Sequence, residues 1–329
     1  MRILVPAALA ALLALGACGP RPQSTGAAPP ATSEYRAVPD AGFDAWRAGF
    51  EPRALAAGIP APVVARAMGG AGYIPRVIEK DRSQAEHSLT YQEYFDLVLP
   101  PERIANGRAA LRRESATLAR LEGQYGVPAE VIAAVWGIES AYGTKRGTVP
   151  VISALATLAH DGRRGRFFEG ELIAALRIIA AGEVSPERML GSWAGAMGHT
   201  QFIPSSYLSL AVDGTGDGRR DIWGDDPADA LASTANYLAR SGWRAGEPVL
   251  LEVRAPAGLS GTRSAASWEA AGVSRANGGA LGALPEGRLL RTDDGPAYLV
   301  FRNFDVIKRY NNADLYALAV GVLSQRIGG

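Results

Sequence analysis

GVPAEVIAAVWGIESAYG, residues 126–143, is the stretch on which the predicted fold rests. Its central part, AEVIAAVWGIES, is apolar on nearly every side, and a helix of that kind belongs in the interior of a protein. Gly126 and Pro128 end the helix that precedes it, because glycine and proline interrupt helical hydrogen bonding. The stretch therefore predicts a buried helix whose last turn carries one charged side chain, Glu139.

Helical patterns continue on both sides of this segment. Apolar residues recur at three- and four-residue steps from about Phe43, and a long amphipathic helix is predicted from Pro101 or Glu102 to Tyr125. Four later segments are also predicted to be helices: VISALATLAHD, FEGELIAALRIIAAG, DPADALASTANYLARSG with Gly242 as its stop signal, and DLYALAVGVLSQRI.

Residues 247–305 have a different pattern. EPVLLEVRAP, GRLLRT and AYLVFRNF alternate in polarity or run apolar, which is typical of short strands. The Ala/Gly/Ser-rich stretch between them, 256–287, predicts a loop with a short helix. The fold class is therefore predicted to be mainly α, with a small β element near the C-terminus.

The composition excludes several classes of protein. The 329 residues include 34 basic and 33 acidic ones, so the chain lacks the basic excess of a nucleic-acid-binding protein. A hydrophobic fraction of 47% is typical of a globular chain and not of a disordered one. Cys18 is the only cysteine, which excludes an internal disulfide and a thiolate metal cluster, and the 3 histidines lack metal-ligand spacing.

The N-terminal residues resemble a lipoprotein export signal. Residues 1–17, MRILVPAALAALLALGA, combine one basic residue with an apolar run too short to span a bilayer. The sequence LGAC that ends at Cys18 resembles a bacterial lipobox, which implies that Cys18 is acylated. Gly19 is not the aspartate of an inner-membrane retention signal, so the resemblance implies the outer membrane. The alternative is an ordinary secretory signal with a chance cysteine. Residues 18–40 would then be the anchor and a flexible tether, because a stretch rich in Pro, Gly, Ser, Thr and Ala buries little apolar surface.

Glu139 is a candidate catalytic acid. Cleavage of a glycosidic bond requires a protonated carboxyl group, and burial among apolar side chains raises the pKa of a glutamate by disfavouring its charged form. Val135, Trp136 and Ile138 would provide such surroundings. An isolated glutamate at a helix end is more often an exposed surface residue, so the helix alone leaves both interpretations open.

Five separated blocks, in matching order, are similar to the membrane-bound lytic murein transglycosylase B type family. The blocks are GVPAEVIAAVWGIESAYG, ISALATLAHDGRR with the FF and GEL that follow, GSWAGAMGHTQFIPSSY, DIW with DPADALASTANYL and SGW, and RYNNADLYALAV. The resemblance runs from about Phe43 to Arg326. It implies an elongated, lysozyme-like (α+β) enzyme over residues 41–329, with a helical N-terminal part, a core at about 105–245 and a small β part at about 247–305.

The resemblance also implies a reaction. Members of the family cleave the β-1,4 bond between N-acetylmuramic acid and N-acetylglucosamine in peptidoglycan, and the 6-hydroxyl of the muramoyl residue attacks its own C1 to give a 1,6-anhydro end. A glycoside hydrolase normally needs a second carboxylate. Here the substrate supplies the nucleophile, so Glu139 alone could donate and then accept a proton, with no cofactor required for catalysis. The alternatives are a hydrolytic muramidase and a non-catalytic murein-binding lipoprotein.

Substrate-binding residues follow from the same blocks by position. The resemblance assigns sugar contacts or a place in the cleft wall to Gln201, Tyr310, Asn311, Tyr237, Tyr94, Ser192 and Met197. Arg163 and Arg164 match a pair that meets substrate carboxylates. From the residues alone, Tyr94 and Tyr237 could equally be core aromatics, the arginines a solvated pair and Gln201 a loop cap.

VDGTGDGRRDIW, residues 212–223, carries oxygen ligands at alternate positions. Its first half resembles an EF-hand calcium loop, in which the sixth residue turns sharply, with Asp213, Thr215, Asp217 and Gly218 at the matching places. Arg219 could add its backbone carbonyl. The twelfth place is Gly224 instead of a bidentate glutamate; in the family a later aspartate closes the site, and Asp229 is its match. The segment therefore holds a structural Ca²⁺ or forms an Asp/Gly-rich surface turn.

The export signal and the family resemblance together predict an enzyme on the periplasmic face of the outer membrane. Its partners would be peptidoglycan glycan strands and, through the lipid anchor, the membrane. A net charge of +1 is compatible with a neutral glycan polymer. No nucleic acid is expected, and the protein is expected to be a monomer.

Overall fold

The computed structural model describes residues 33–83 and 89–329, so the predicted signal peptide and Cys18 lie outside the described residues. Helices dominate this part of the chain, as the sequence predicts. They are α1 (Ala41–Ala56), α2 (Ala61–Gly69), α3 (Pro75–Ser83), α4 (Tyr91–Val98), α5 (Pro101–Arg113), α6 (Ser115–Tyr125), α7 (Ala129–Ser140), α8 (Val151–Asp161), α9 (Gly165–Ala180), α10 (Pro204–Leu210), α11 (Ala228–Arg240), α12 (Ala265–Ala270), α13 (Arg302–Tyr310) and α14 (Asp314–Gly328). The strands are β1 (Val149–Pro150), β2 (Leu190–Gly191), β3 (Leu250–Arg254), β4 (Thr262–Arg263), β5 (Ser274–Arg275), β6 (Gly287–Arg291) and β7 (Ala297–Val300). Within the described ranges, none of the helices has both the length and the apolar character that crossing a bilayer requires.

Polar side chains mark the starts of two N-terminal helices. The Asp40 carboxylate accepts a 2.6 Å hydrogen bond from the backbone N–H of Phe43 at the start of α1. Thr90 and Glu93 form a reciprocal capping box at the start of α4. Each cap satisfies backbone donors that have no partner within the helix. The second cap also places Tyr94 in the first turn of α4.

The helix predicted to run unbroken to Tyr125 is divided in the structure. α5 and α6 meet at Glu114, whose φ of −98° and ψ of 17° interrupt the helical conformation. The two parts have different partners: α5 packs on α14 and α7, whereas α6 packs on α11 and α7. Amphipathic periodicity could not locate this break, because both parts keep apolar residues at helical spacing.

α7 has the central position that its apolar sequence predicts. It packs on α5, α6, α11 and α14. Trp136 is 1% exposed and Ile132 is fully buried. Removing such side chains from water is favourable by about 25 cal/mol per Å² of apolar surface. This burial carries Glu139, at the last turn of α7, towards the interior.

The predicted small β element is present as a five-stranded antiparallel sheet in the order β4-β6-β7-β3-β5. Leu299 of β7 pairs with Leu251 of β3 on one side and with Leu289 of β6 on the other. Leu299 and Leu289 pack with Trp268 of α12 in a separate apolar cluster. A second, two-stranded sheet pairs β1 with β2. It holds Val149 and Pro150, just before α8, against Leu190 and Gly191.

The segment AYLVFRNF, predicted as a strand, is only half a strand. β7 ends at Val300, and α13 begins at Arg302. Phe304 and Ile307 are buried three residues apart, a helical spacing. Asn303 anchors the start of this helix, since its side-chain amide donates to the carbonyls of Arg244 and Glu247 at 2.8 Å each. These contacts are distant in sequence, which is why a local pattern missed them.

Buried apolar residues form two large clusters beside the sheet. One joins α4–α7 with α11, α13 and α14, and the other joins α1–α3 with α8–α10. Tyr310 packs against both and so lies where they meet. The division into a core at about 105–245 and a β part at about 247–305 stays a prediction.

Candidate active site

Glu139 lies in the last turn of α7, and α14 supplies its hydrogen-bond partner. The Tyr316 hydroxyl donates to Oε1 of Glu139 over 2.6 Å. Ile138 and Ser140, on either side of the glutamate, are 4% and 1% exposed. The packing of α7 on α14 therefore brings a partly exposed carboxyl group against a buried phenol.

Burial raises the pKa of Glu139 from 4.5 to about 8, and the Tyr316 hydrogen bond opposes part of this rise by stabilising the charged form. Among the residues that the structure describes, no second carboxylate contributes to this shift. The carboxyl group is therefore mostly protonated at neutral pH, which is the state that a general acid requires.

A left-handed turn follows Glu139 directly. Ala141, Tyr142 and Gly143 have φ values of 49°, 58° and 84°. Two of these residues carry side chains, which disfavour positive φ, so the turn needs outside support. Ser140 provides it: its hydroxyl accepts a 2.9 Å hydrogen bond from the Gly143 N–H and donates to the carbonyl of His199.

His199 joins the end of α7 to the acidic loop. The Trp136 indole N–H donates to His199 Nδ1 over 3.1 Å, which leaves Nε2 as the protonated nitrogen, 2.8 Å from the carbonyl of Gly224. Burial lowers the pKa of His199 and keeps the ring neutral. The neutral ring accepts a hydrogen bond at Nδ1 and donates one at Nε2, which fixes the end of α7 relative to the acidic loop.

Aromatic side chains line one wall near Glu139. The rings of Tyr310 and Tyr316 are nearly parallel, with centroids 6.5 Å apart, and Tyr237 lies 4.7 Å from Tyr310. The Tyr310 hydroxyl donates to the carbonyl of Thr200, and Phe202 packs edge-on against the Tyr310 ring. Gln201, which lies between Thr200 and Phe202 in the sequence, is therefore held on the same wall.

Gln201 has a left-handed backbone, with φ of 55°. Its side-chain amide donates to the carbonyl of Gly198 over 2.8 Å and to that of Arg146 over 3.0 Å. These two bonds hold the turn and fix the direction of the side-chain carbonyl. A positive φ at a non-glycine residue is common in functional sites, where neighbouring contacts hold it in place.

Tyr94 approaches the acid from α4. Burial raises the pKa of Tyr94, and the charge of Glu139 raises it further. The same charge also raises the pKa values of Tyr310 and Tyr316, after burial, which is the larger cause for both. The structure thus brings three tyrosines from α4, α13 and α14 around one carboxyl group.

Three predicted substrate residues have structural duties. Ser192 Oγ accepts hydrogen bonds from the N–H groups of Ala194 and Ala196, which closes a turn. Met197 differs from its expected place in the cleft wall, because its side chain is 0% exposed and packs in the apolar core behind it. Asn311, which is 4% exposed, accepts from the Ala313 N–H before α14.

Arg163 and Arg164, which the resemblance assigns to substrate carboxylates, bind a carboxylate of the protein in this structure. Both guanidinium groups bind the carboxylate of Asp81, a residue of α3 that is 2% exposed. A buried carboxylate needs paired cations to offset its lost hydration. In this structure the two arginines therefore satisfy a carboxylate of the protein itself, and their contact with substrate stays a prediction.

Sequence reasoning missed Tyr316, the residue that contacts the acid directly. The available signal was a tyrosine within the otherwise apolar DLYALAVGVL, since a buried phenol usually requires a polar partner. It also missed the roles of Ser140 and His199, whose neighbours lie far away in the sequence. Only the packing of α7 against α14 and against the segment between β2 and α10 reveals these pairs.

The acidic loop brings its carboxylates together. Oxygen atoms of Asp213, Asp217 and Asp229 lie within 4.8 Å of one another. Asp213 accepts hydrogen bonds from the N–H groups of Gly216 (2.6 Å) and Gly218 (2.7 Å), and Gly218 has the φ of 86° that a sharp turn requires. Asp229 lies five residues beyond the twelfth place of the loop and still reaches the other two carboxylates, so this donor set suits a hard cation such as Ca²⁺.

Two sequence comparisons match this arrangement. The family model described as transglycosylase SLT domain matches residues 42–325. Membrane-bound lytic murein transglycosylase B of Escherichia coli (strain K12) is 36% identical over 248 residues, which cover 73% of this chain and 67% of that protein.

Solved structures agree with the sequence matches. SltB3 from Pseudomonas aeruginosa in complex with NAG-anhNAM-pentapeptide is 44% identical, with a TM-score of 0.83, over 88% of this chain and 80% of that one. The Escherichia coli lytic transglycosylase Slt35 in complex with calcium is 32% identical, with a TM-score of 0.75, over 86% and 92% of the two chains. The predicted mainly α, lysozyme-like fold class is confirmed. Because the family model covers nearly all of the described residues, the chain belongs to the transglycosylase SLT domain family.

Proposed function

We propose that this protein is a lytic transglycosylase that cleaves the β-1,4 bond between N-acetylmuramic acid and N-acetylglucosamine in peptidoglycan and leaves 1,6-anhydromuramoyl ends. The observation that carries the proposal is the carboxyl group of Glu139, which burial keeps protonated at neutral pH beside a tyrosine donor. The relatives support it: one is a lytic murein transglycosylase, and another was solved with NAG-anhNAM-pentapeptide.

One carboxyl group is sufficient for this reaction. Glu139 donates its proton to the glycosidic oxygen as the bond from that oxygen to C1 of the muramoyl residue breaks. The 6-hydroxyl oxygen of the same residue then bonds to C1, and its proton goes to the Glu139 carboxylate. No water is consumed, and the glutamate ends protonated as it began. A pKa near 8 allows both proton transfers at neutral pH.

The neighbouring side chains suit a sugar polymer. Carbohydrate sites combine aromatic surface with a few fixed hydrogen-bonding groups. Tyr94, Tyr237 and Tyr310 provide the aromatic surface around Glu139, and Gln201 offers an oriented amide carbonyl. We assign these four side chains to substrate binding, with Ser192 and Asn311 shaping the segments that carry them.

Mass spectrometry of the soluble products tests the proposal. Purified murein sacculi are incubated with protein that lacks residues 1–18, and the released muropeptides are analysed. Anhydro-muropeptides are expected. Products heavier by one water, with reducing ends, would identify a hydrolytic muramidase instead. Binding to sacculi without any product would favour the non-catalytic lipoprotein.

Replacing Tyr316 with phenylalanine is expected to shift the alkaline limb of the pH–activity profile upwards. The Tyr316 hydrogen bond lowers the pKa of Glu139 by favouring its charged form, so the pKa rises above about 8 when that bond is lost. The rate at neutral pH should also fall, by about ten-fold or more, because a hydrogen bond to a charged group contributes about 1.5–3 kcal/mol. The measurement is kcat/KM on soluble glycan oligomers between pH 5 and about 10.

Tyr298→Phe is the matched control for this variant. Tyr298 is 1% exposed and its hydroxyl lies 2.7 Å from that of Tyr91, so the substitution removes an equally buried hydroxyl away from the acid. Its alkaline limb should stay where the parent has it. An unshifted limb in Tyr316→Phe would mean that Tyr316 does not act on the titrating group.

We infer that the acidic loop binds a structural Ca²⁺ through the carboxylates of Asp213, Asp217 and Asp229. The convergence of their oxygen atoms supports this assignment. A relative, Slt35, was solved in complex with calcium. Thr215 and the backbone carbonyl of Arg219 are the further candidate ligands. The ion would offset two of the three negative charges and tie the loop to the start of α11.

Millimolar Ca²⁺ is expected to raise the melting temperature by several degrees, because a ligand at about 100 times its Kd stabilises the folded state by about 2.7 kcal/mol. Asp217→Asn should remove most of this rise, since it loses a charge while keeping an acceptor for the Arg219 N–H. Asp226→Asn, a matched change at a carboxylate outside the group, should keep it. Equal calcium responses in both variants would argue against the site.

We also propose that Cys18 is acylated and that the enzyme is an outer-membrane lipoprotein that faces the periplasm and acts as a monomer. The lipobox-like sequence before Cys18 supports the anchor, and the Escherichia coli relative is described as membrane-bound. Incorporation of a labelled fatty acid by the full chain, and its loss in Cys18→Ser, is the expected result. Labelling that persists in the variant would contradict the anchor.

A further inference from the structure

His199 is a buried residue that neither proton transfer uses. It is 3% exposed, so its ring does not form part of the surface that a glycan would contact. The residue lies in the segment between β2 and α10, and its backbone N–H donates to the carbonyl of Ile222 over 3.0 Å. Both ring nitrogens and the backbone carbonyl also have hydrogen-bond partners. A buried side chain bonded in this way fixes the relative positions of the segments around it.

Two contacts join His199 to the end of α7. The Trp136 indole N–H donates to Nδ1 over 3.1 Å, and the two rings meet edge to face with centroids 5.7 Å apart. The His199 carbonyl accepts the hydroxyl of Ser140, which itself accepts the N–H of Gly143 over 2.9 Å. Trp136 lies three residues before Glu139, and Ser140 follows it directly. A displacement of His199 therefore moves the helix turn that carries the carboxyl group.

Contacts on the other side of the His199 ring reach the acidic loop. Nε2 donates to the carbonyl of Gly224 over 2.8 Å. Oδ1 of Asp221 accepts the N–H of Gly224 over 2.9 Å, and the N–H of Asp221 donates to Oδ2 of Asp229 over 2.8 Å. A continuous series of hydrogen bonds therefore runs from the acidic loop through His199 to the turn after Glu139.

Arg146 favours the form of the ring that these bonds require. Its Nη1 lies 3.2 Å from Nε2 of His199 and donates to the carbonyls of Trp223, over 3.0 Å, and of Gly224. A second proton on the ring would place a positive charge beside this guanidinium group, and Nδ1 would face the Trp136 indole as a donor. Burial is the main cause of the lowered pKa of His199, and the charge of Arg146 lowers it further. The neutral ring is the one that binds both neighbours.

We propose that His199 is a positioning residue for the reaction: it ties the acidic loop to the last turn of α7 and so holds the Glu139 carboxyl group where both proton transfers take place. This inference rests on the proposed function. Both ring nitrogens are needed, Nδ1 as the acceptor for Trp136 and Nε2 as the donor to Gly224. A general acid must lie within about 2.6–3.2 Å of the atom that it protonates, so a small displacement lowers kcat. Substrate binding depends on other side chains, so KM and Kd should change little.

Two substitutions each keep one of the two hydrogen bonds of the ring. His199→Asn places an amide oxygen near the position of Nδ1, so it can still accept from Trp136. His199→Gln places an amide N–H group near the position of Nε2, so it can still donate to Gly224. His199→Ala loses both bonds. His160→Gln is the matched control, because His160 lies at the end of α8 and its side chain is 26% exposed.

The measurements are kcat and KM on soluble glycan oligomers, at a temperature where thermal unfolding shows each protein to be folded. Kd values are measured by calorimetry with each change added to Glu139→Gln, so that binding is read without cleavage. His199→Asn and His199→Gln should each lower kcat about two- to ten-fold, the effect of one hydrogen bond. His199→Ala should lower it about 10²-fold, because a misplacement of about 1 Å can have that effect. KM and Kd should stay close to those of the parent, and His160→Gln should keep the parent kcat.

Trp136→Phe, which removes the indole donor, distinguishes the two bonds. Added to His199→Asn, it should lower kcat further, because the amide oxygen of asparagine still accepts from the indole. Added to His199→Gln, it should have a smaller effect, since that bond is already lost. These variants decide the question even if His199→Ala does not fold.

Three results would overturn the positioning role. They are a kcat close to that of the parent in His199→Asn and His199→Gln, a loss that appears in KM and Kd instead of kcat, and equal effects of Trp136→Phe in the two backgrounds. The same loss of kcat in His160→Gln would also count against it. Failure of the proposed function is distinguishable, because the parent would then release no anhydro-muropeptides, whereas failure of the positioning role leaves the parent active.

Discussion

Replacing Glu139 with glutamine is expected to lower kcat by at least about 10³-fold, since general acid–base catalysis by a positioned side chain contributes about 10²–10⁴-fold and here one group performs both proton transfers. Glutamine has nearly the same shape and can still accept the 2.6 Å hydrogen bond from Tyr316, so the site geometry is kept. The amide has no proton to donate to a leaving oxygen. The measurement is the rate of anhydro-muropeptide release from sacculi.

Glu130→Gln is the matched control for this loss. Glu130 lies in the first turn of the same helix, α7, at the opposite end from Glu139. Its substitution is the same chemical change, from a carboxyl group to an amide, and should leave the release rate near that of the parent. Activity retained by Glu139→Gln within about ten-fold would reject the glutamate as the acid.

Glu139→Gln should be more stable than the parent at alkaline pH. In the folded protein the pKa of Glu139 is about 8, whereas the ordinary value for a glutamate is 4.5. Between pH 4.5 and about 8 the folded state therefore binds more protons than the unfolded state. The parent therefore loses stability as the pH rises from about 4.5 to about 8, and glutamine does not titrate. The melting temperature of Glu139→Gln should exceed that of the parent at pH 9, and the difference should shrink towards pH 5.

Replacing Gly143 with alanine is expected to destabilise the fold by about 3 kcal/mol or more and to reduce activity at least ten-fold. The residue has φ of 84°, a conformation that costs an alanine about 1–2 kcal/mol. The new Cβ would also lie 2.4 Å from Nδ1 of His199. His199 cannot withdraw, because Trp136 and Gly224 hold its ring on both sides. The turn that follows Glu139 should therefore shift to relieve the clash, and this shift should displace the Glu139 side chain.

Thermal unfolding and kcat measure the two effects. At about 2–4 °C per kcal/mol, the melting temperature should fall by roughly 10 °C. Gly123→Ala is the matched control, because no atom lies within 4 Å of its added Cβ and the residue is inside α6. That control should gain up to about 1 kcal/mol, since alanine favours a helix more than glycine does. Similar melting temperatures for the two variants would show that the turn tolerates a side chain.

The helices were predictable because their apolar spacing is a local property. α7 was predicted from one uninterrupted apolar stretch, and the structure buries it as expected. The break at Glu114 and the start of α13 at Arg302 were not predictable in this way. Both boundaries depend on which distant helices and loops each half contacts, and a local pattern does not record those partners.

The candidate site was also predictable from the sequence only in part. The family blocks point to Glu139 and Gln201 by position alone, and the catalytic and sugar-binding roles of these residues stay predictions. The interpretation of Arg163 and Arg164 did not anticipate Asp81, which lies 82 residues before Arg163 in sequence. Tyr316, a phenol in a largely apolar helix, indicates a buried polar partner but not which one. That partner, Glu139, lies 177 residues earlier in the sequence and is identified only after folding.

The sequence by itself determined a mainly helical chain, a buried helix that ends in a glutamate, and an acidic loop with oxygen ligands at alternate positions. Only the tertiary structure decided that Glu139 is a protonated acid, that Tyr316 is its donor and that Asp81 occupies two arginines. The physical reason is that helix formation follows from the spacing of nearby residues. A pKa or an unpaired charge depends on burial and on groups that the fold brings from far along the chain.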